Sequence, residues 1–344
     1  MTNLILNDVC NLRCPYCFAL DYQGEQTSPE HFLSLEAFRS RLEFLERSGM
    51  EQVRLLGGEP TLHPQFVEMV NLVRAGGKKL MVFSNGLMPE KVFACLAGLS
   101  PSDCTVMINM VQASEVDPDR RVHQRQLAAL RRLGQRALPG MTIYRGDFQA
   151  GFLLSAIAET GCRSHIRLGL AQPCLSGANQ YLYPHEYQVV GQRIVELALA
   201  AAEVGVTLSF DCGFVRCMFS EADLDILRAV RVDFGWRCNP ILDIDLAGRV
   251  IHCYPLSGFV RLPLTGEADA SGLRGAFEAA AEPYRASGIY KACSRCEFKA
   301  AGECPGGCLA TTMRRFRRSQ FRVTVPSSLF VSIAFNGSGK GDHL

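Results

Sequence analysis

The 344-residue sequence lacks a large excess of either charge: 36 Lys and Arg residues balance 34 Asp and Glu residues, for a net charge of +2. This balance gives no reason to expect a nucleic acid or an anionic membrane surface as a partner. A membrane-spanning helix needs about 20 consecutive apolar residues, and no apolar run is that long. The opening MTNLILNDVC also lacks the basic and apolar segments of a signal peptide, which predicts a cytoplasmic location.

Cysteine, in contrast, is abundant, with 15 residues in the chain. Three lie between Cys10 and Cys17, and eight lie between Cys212 and Cys308. Reducing compartments rarely keep disulfides, and an odd number of cysteines cannot all pair. Clustered cysteines therefore predict metal or redox sites.

Strand-like and helix-like segments alternate about six times over roughly the first 210 residues. The apolar run NLIL at Asn3–Leu6 is the first strand, and the segment from Ser34 has helical spacing of its apolar residues. This alternation predicts an α/β fold with a parallel sheet, either open or closed into a barrel. After Asp211 the chain becomes rich in Gly, Pro and Cys, and we expect no long periodic helix except around Gly275–Ala286.

The change in composition predicts a core domain at residues 1–210, a small cysteine-rich domain at 211–320 and a tail at 321–344. The tail is basic, then apolar, and ends in a Gly- and Ser-rich stretch that we expect to be disordered.

The stretch CNLRCPYC, with the spacing C-x3-C-x2-C, directly follows the first predicted strand. A structural zinc site needs four ligands, and no fourth ligand lies near these three cysteines in the sequence. A thiol-exchange site needs only a C-x-x-C pair, which Cys14 and Cys17 could supply. Iron–sulfur clusters normally take four thiolates, so three would leave one iron open to a substrate or cofactor.

This stretch, with aromatic Tyr16 before its last cysteine, closely resembles the signature of radical S-adenosylmethionine (SAM) enzymes. In that family three cysteines hold a 4Fe–4S cluster whose open iron chelates SAM. Cleavage of SAM then gives a 5′-deoxyadenosyl radical that abstracts hydrogen from the substrate. The resemblance implies that Cys10, Cys14 and Cys17 are cluster ligands and that residues 1–210 form a partial (β/α)6 barrel.

Further segments at predicted strand ends resemble SAM-binding motifs of the same family. GGEP at residues 57–60 resembles the GGE motif that binds the SAM amino group, and FSNG resembles the TNG segment that reaches its carboxylate or ribose. Parallel α/β folds bind ligands at the carboxyl ends of their strands. The resemblance implies SAM contacts from Tyr16, Gly57, Gly58, Glu59, Pro60, Ser84, Asn85, Asn109, Arg167, Leu168 and Gly169.

The C-terminal cysteines resemble the SPASM extension of radical SAM enzymes, which binds auxiliary 4Fe–4S clusters. They are Cys212, Cys217, Cys238, Cys253, Cys293, Cys296, Cys304 and Cys308. The resemblance implies a nearer cluster on Cys238, Cys253 and Cys308, and an outer one on Cys293, Cys296 and Cys304. Either Cys212 or Cys217 would complete the nearer cluster. The family's final downstream cysteine is absent, so the outer cluster takes the other upstream cysteine or stays open to substrate. A single auxiliary cluster is an alternative if some of these thiols serve another role, and from spacing alone a zinc ribbon is another.

An auxiliary cluster implies oxidation or cross-linking of the substrate, for which a base would help. Asp211, Asp243 and Asp245 lie near cluster cysteines and are candidates, although each also fits a turn or hairpin. Cys174, after the sixth strand, could donate hydrogen or meet the substrate.

The resemblance favours modification of a ribosomal peptide, with flavodoxin or ferredoxin as electron donor. The chain has no room before Cys10 for a leader-binding domain, so a separate protein would bind a leader. A dehydrogenase or epimerase of sugars, cyclitols or amino acids is the alternative. A zinc protein that binds nucleic acid is a third possibility, because RRFRR at Arg314–Arg318 could contact phosphates. The near-neutral charge disfavours it.

Overall fold

The computed structural model describes residues 1–20, 29–111, 119–175, 179–232 and 234–317, in which the strands form one sheet in the order β10-β9-β8-β1-β2-β3-β4-β5-β6-β7. The strands are β1 Asn3–Ile5, β2 Gln52–Leu56, β3 Lys79–Ser84, β4 Cys104–Asn109, β5 Ala137–Ile143, β6 His165–Leu170, β7 Thr207–Phe210, β8 Asp243–Ile244, β9 Arg249–Ile251 and β10 Arg261–Pro263. The helices are α1 Leu35–Arg47, α2 Phe66–Ala75, α3 Glu90–Ala97, α4 Arg121–Leu133, α5 Gly151–Thr160, α6 Tyr187–Glu203, α7 Glu221–Ala229, α8 Ala270–Arg285, α9 Glu297–Ala300 and α10 Leu309–Arg317. The predicted tail at 321–344 lies outside the described residues.

Strands β1 to β7 are parallel and neighbour one another in chain order, each joined to the next by a helix. Strand β7 does not return to pair with β1, whose second neighbour is β8, so the barrel is open. The predicted α/β fold with a partial barrel is confirmed. Its carboxyl strand ends bring the segments after β1, β2, β3, β4 and β6 to one edge.

The helices begin and pack as their sequences predict. Ser34 caps α1 by accepting a hydrogen bond from the Ala37 amide, which satisfies one of the free amides at the helix start. Phe38 and Phe44 of α1 are fully buried in the same core as Leu55 of β2. Burial of each such side chain contributes about 1.5–3 kcal/mol.

Strand β5 includes Pro139 and Gly140, two residue types that are uncommon inside strands. A side chain at Gly140 would place its Cβ only 2.4 Å from the Arg167 carbonyl oxygen on β6. Glycine is therefore needed here to let the two backbones approach. Gly140 is therefore explained by the close contact with β6 and not by a turn.

The cysteine-rich region continues the core sheet. Leu4 of β1 pairs with Ile244 of β8, and β9 and β10 follow in antiparallel order. Buried Arg41 of α1 donates hydrogen bonds to the carbonyls of Asp245 and Leu246 at 2.6 and 3.1 Å. The first 210 residues and the C-terminal hairpin thus share backbone contacts.

The one long helix expected after Asp211 is α8, which begins earlier than expected, at Ala270. The shorter helices α7, α9 and α10 are additional. They span four to nine residues, too few for a clear periodic signal. No helix in the described part of the chain is long and apolar enough to cross a membrane.

Candidate functional site

The three-cysteine loop lies directly after β1, with its thiols half-buried. The loop is tight, since the Cys17 amide donates to the Cys14 carbonyl at 3.0 Å. Backbone amides also point at sulfur: Leu12 N lies 3.4 Å from Cys10 Sγ, and Ala19 N lies 3.3 Å from Cys17 Sγ. Amide donors of this kind stabilise thiolate ligands of a cluster.

The three thiols of this loop need a bound metal centre to become thiolates. Burial raises the pKa of Cys10 to about 11 and that of Cys17 to about 12, and it also raises the pKa of Cys14. Three neighbouring thiols with raised pKa values stay protonated at neutral pH unless a metal centre binds them. The donor set therefore fits an iron–sulfur cluster and does not fit a reactive low-pKa thiol.

The segment after β2 is tied to the base of this loop by backbone contacts. Gly58 N donates to Asn7 O at 3.0 Å, and Glu59 N donates to Val9 O at 2.7 Å. A Cβ on Gly58 would lie 2.2 Å from Val9 O, and one on Gly57 would lie 2.6 Å from Asn7 Oδ1. Only glycine lets the two segments lie this close, which places residues 57–60 beside the cysteines.

The Glu59 carboxylate is almost fully buried and is surrounded by protein donors. It accepts hydrogen bonds from the backbone amide and hydroxyl of Thr61, from Ser84 Oγ at 2.9 Å and from Asn85 N at 2.7 Å. Burial raises its pKa. Glu59 thus joins the end of β2 to the end of β3. Pro60 begins the 3-10 turn that carries Thr61, a residue that no motif identified.

Asn85 brings the end of β3 against the cysteine loop. Its Nδ2 donates to Asn11 Oδ1 at 2.7 Å and lies 3.7 Å from Cys10 Sγ. Its Oδ1 accepts the Leu87 amide at 2.9 Å. Asn85, predicted as a site residue, thus lies against the cysteine loop, and so does Asn11, which no motif identified.

Tyr16 connects the loop to β4 and β5. Its ring stacks on Tyr144, with 4.7 Å between ring centroids, and its hydroxyl accepts a hydrogen bond from Asn109 Nδ2 at 3.3 Å. The same hydroxyl hydrogen-bonds Cys14. Tyr144 follows β5 in a segment with no recognisable motif, and its place beside Tyr16 becomes visible only in the folded sheet.

The ends of β6 and β7 carry an ion pair between Arg167 and Asp211. The Arg167 guanidinium also lies over the Phe83 ring, 4.9 Å from its centroid. A side chain at Gly169 would come within 2.9 Å of Asp211 Oδ2, so glycine leaves room for that carboxylate. Leu168 is buried in the core, and its carbonyl accepts the Asp211 amide at 2.9 Å. Arg167 and Asp211, predicted in separate roles, are thus each other's partners.

Cys174 and the segment around it lie beside the three-cysteine loop. The buried Cys174 thiol donates to Phe18 O at 3.1 Å. Asn179 Nδ2 donates to Tyr16 O at 3.3 Å, and its Oδ1 accepts the Cys174 amide at 2.9 Å. The thiol therefore connects two loops, and its predicted role as hydrogen donor would require it to leave the Phe18 carbonyl.

The two other candidate bases occupy the C-terminal hairpin. Asp243 is buried, accepts hydrogen bonds from Asn3 Nδ2 at 2.7 Å and Tyr254 N at 3.0 Å, and has a pKa raised to about 7 by burial. Asp245 accepts the Arg249 amide at 2.9 Å and pairs with its guanidinium at 2.8 Å. Asp245 thus acts as a hairpin residue.

The C-terminal cysteines separate into two sets of four, which we name the inner and outer sets. The inner set is Cys212, Cys238, Cys253 and Cys308, whose thiols interact electrostatically with one another. Leu309 N donates to Cys238 Sγ at 3.4 Å, and the neighbouring Cys308 thiol together with this amide lowers the pKa of Cys238. The outer set is Cys217, Cys293, Cys296 and Cys304, which line one pocket together with Phe298 and Lys299.

The two sets indicate where Cys212 and Cys217 belong, a question that the sequence spacing did not answer. Cys212 lies with the inner set and Cys217 with the outer set, although only four residues separate them. The missing cysteine downstream of Cys308 therefore has a spatial replacement in Cys217. Each set reaches the four thiols that a 4Fe–4S cluster normally takes.

The number of thiols in each set suits more than one metal centre. Within the described ranges, no group of three or more His, Cys, Asp or Glu side chains is already placed to hold a single metal ion. Four thiolates are the ligand set both of a structural zinc ion and of a 4Fe–4S cluster, so the zinc ribbon and the cluster remain alternatives at this point.

The basic residues of α10 contact the protein itself. Arg314 donates to the Cys174 carbonyl at 3.3 Å and lies over the Tyr181 ring, and Arg315 donates to the Gly288 carbonyl. The side chain of Arg317 and all of Arg318 lie outside the description. These contacts give Arg314 and Arg315 a structural role that does not require nucleic acid.

Comparison with known proteins agrees with the first part of the chain. The family model for the Radical SAM superfamily matches residues 4–145. GTP 3′,8-cyclase of Pectobacterium atrosepticum is 41% identical over 85 residues, which is 24% of this chain and 26% of that protein. The same enzyme of Pasteurella multocida is 33% identical over 112 residues, or 32% of this chain and 33% of that protein. The chain therefore matches only about a third or less of these relatives.

Solved structures extend the similarity to the C-terminal region. Native anSMEcpe with bound AdoMet has a TM-score of 0.63 at 16% identity, covering 89% of this chain and 88% of that one. Streptococcus suis SuiB bound to precursor peptide SuiA has a TM-score of 0.58 at 14% identity, covering 78% and 63%. Identities this low establish the fold alone. The prediction of the family is confirmed: the chain carries a radical SAM domain at residues 4–145, within a fold that it shares over most of its length with anSMEcpe and SuiB.

Proposed function

We propose that this protein is a radical SAM enzyme with three 4Fe–4S clusters that oxidises or cross-links its substrate. Cys10, Cys14 and Cys17 would hold the SAM-binding cluster. When bound there, the cluster supplies the electron that cleaves SAM to a 5′-deoxyadenosyl radical. The two complete four-cysteine sets carry the proposal, because they distinguish this chain from one with a SAM site alone.

The residues around the loop have separable tasks in this proposal. Gly57 to Pro60 present backbone beside the cysteines, and buried Glu59 holds Ser84 and Asn85 in position. Asn85, 3.7 Å from Cys10 Sγ, would contact SAM bound at that loop. Tyr16 and Asn109, which hydrogen-bond each other, would add further contacts.

The charged pair at β6 and β7 would orient polar groups at the barrel mouth. Arg167 is half-buried and shares its charge with Asp211, so it holds that carboxylate beside Cys212. Among the three candidate bases, Asp211 is the one that this ion pair holds beside Cys212. Asp243 is a second carboxylate near the inner set, but both of its oxygens accept hydrogen bonds from the protein.

For the substrate we favour a ribosomal peptide, modified in the cytoplasm with flavodoxin or ferredoxin as electron donor. Support comes from the fold shared with SuiB, solved with its precursor peptide SuiA, and with anSMEcpe, solved with the Kp18Cys peptide. The match to anSMEcpe spans nearly the full length of both chains.

The test begins with anaerobic reconstitution of the full chain. With SAM and dithionite we expect formation of 5′-deoxyadenosine. Short peptides encoded beside the gene are then added, and mass spectrometry should find the loss of two hydrogens or a new cross-link. Absence of deoxyadenosine from iron-replete protein would contradict the enzyme proposal, and turnover without any peptide change would contradict the substrate.

A small molecule is the second candidate substrate. It is favoured by the identity to GTP 3′,8-cyclases, which is confined to about a quarter to a third of the chain. The reconstituted protein is incubated with GTP in parallel with the peptides. Consumption of GTP coupled to deoxyadenosine formation would favour this candidate over the peptide.

A further inference from the structure

Arg285 places a positive charge beside the inner set. It is the last residue of α8, where the partial negative charge of the helix end favours a cation. Its Nη2 donates to the Cys238 carbonyl at 2.6 Å, and its charge acts on the Cys238 thiol. The same charge is felt by buried His252, the neighbour of Cys253.

The charge of Arg285 is not neutralised by an acid. Among the residues that the structure describes, Arg285 forms no ion pair with Asp or Glu. The other charged groups near the inner set are the Arg167–Asp211 pair, which is internally balanced, and Asp243. Arg285 is therefore the unbalanced cation at the inner thiols.

A fixed cation affects a redox centre in a known direction. Reduction of a cluster adds one negative charge, and a nearby positive charge stabilises the reduced state. Hydrogen bonds to the sulfurs act in the same direction, and both raise the reduction potential. At a few ångströms and a protein-like dielectric, one charge changes the ratio of reduced to oxidised cluster by about tenfold or more.

We propose that Arg285 raises the reduction potential of a 4Fe–4S cluster held by Cys212, Cys238, Cys253 and Cys308. Arg285 is then a positioning residue that makes the inner cluster a better electron acceptor than the same four cysteines would without it. This inference rests on the proposed function, since it requires a cluster at the inner set.

The experiment follows the inner cluster by EPR during a redox titration. The full chain carries Cys10, Cys14, Cys17, Cys293 and Cys296 as alanine, which leaves only the inner set complete. In this background Arg285→Met should shift the midpoint to a more negative potential, so that the reduced-to-oxidised ratio at fixed potential falls about tenfold. Arg285→Lys keeps the charge and should restore most of that ratio.

Arg237→Met is the matched control. Arg237 precedes Cys238 in sequence but is exposed and donates to the Gly235 carbonyl, so solvent and salt screen its charge. We expect a much smaller shift than for Arg285→Met. Equal midpoints in all variants would overturn the role of Arg285 while leaving the cluster in place. Absence of an inner-cluster signal in the Arg285-containing parent would instead contradict the proposed function.

Discussion

The three-cysteine loop and the two C-terminal sets use the same ligand in different ways. The loop collects its thiols from eight consecutive residues, so local backbone is sufficient to bring them together. The inner set draws on four separate segments, from Cys212 after β7 to Cys308 before α10. The loop can therefore be identified from its spacing, whereas the partners in each C-terminal set depend on the tertiary fold.

The loop and the outer set also differ in the residues that surround their thiols. Around the loop, polar residues from several strand ends contact the cysteine segment, as Asn85 and Asn109 do. Around the outer set, the thiols line a pocket with the apolar Val215, Ile289 and Phe298 and two cationic side chains, those of Arg216 and Lys299. The first arrangement suits a site that binds a polar ligand, and the second suits a centre that only exchanges electrons.

The largest effect is expected at the loop. Cys14→Ala removes one of only three ligands, so SAM cleavage should fall below detection and the iron content should drop by about four atoms. Iron analysis and chromatography of deoxyadenosine measure both. Cys95→Ala is the control, since Cys95 lies in α3 outside all three sets. Normal turnover in Cys14→Ala would contradict the assignment of the loop.

The next prediction separates Cys212 from Cys217. Cys217→Ala should weaken or abolish the EPR signal of the outer cluster and leave the inner one, and Cys212→Ala should do the reverse, because each removes one of four ligands. SAM cleavage should persist in both. If both variants lose the same cluster, the grouping into inner and outer sets is wrong.

A smaller effect is expected at the contact between the GGEP segment and the loop. A Cβ on Gly58 would lie 2.2 Å from Val9 O, so Gly58→Ala should destabilise the fold by about 1–3 kcal/mol and weaken SAM binding. Denaturant unfolding and calorimetric titration with SAM measure these effects.

Gly151→Ala is the control for that variant, because a Cβ at the start of α5 meets nothing within 4 Å. Gly151→Ala should leave both quantities nearly unchanged. Wild-type SAM affinity in Gly58→Ala would show that the close backbone approach is unnecessary.

The smallest effect concerns pH and the inner region. Burial, with a contribution from Arg285, lowers the pKa of His252 to about 4 from its usual 6.5. Between these values the unfolded chain binds a proton that the folded chain does not, so stability falls as pH drops below 6.5. The loss is about 1 kcal/mol at pH 5.5.

His252→Phe, which can pack against Phe277 as the imidazole does, should reduce this loss. Unfolding free energies of apo protein at pH 5.5 and pH 8 measure it, with pH 8 as the reference where both residues are uncharged. An unchanged pH dependence in the variant would assign the effect to other groups.

Much of the core was predictable because its signals are local. Alternating apolar segments indicated the parallel sheet, and CNLRCPYC and GGEP lie at the strand ends where a ligand site was expected. The roles of Glu59, Thr61 and Tyr144 were not predictable, because they depend on contacts between strands far apart in sequence. The short helices α7 and α10 were missed for lack of periodicity, and Pro139 and Gly140 concealed the start of β5.

The most direct test of the central claim is a metal and sulfide count on the anaerobically reconstituted full chain, combined with Mössbauer spectroscopy. Three 4Fe–4S clusters predict about 12 iron and 12 sulfide per chain, with all iron in cubane clusters. About four iron together with two zinc ions would instead show that the inner and outer sets are zinc sites, and would contradict the account.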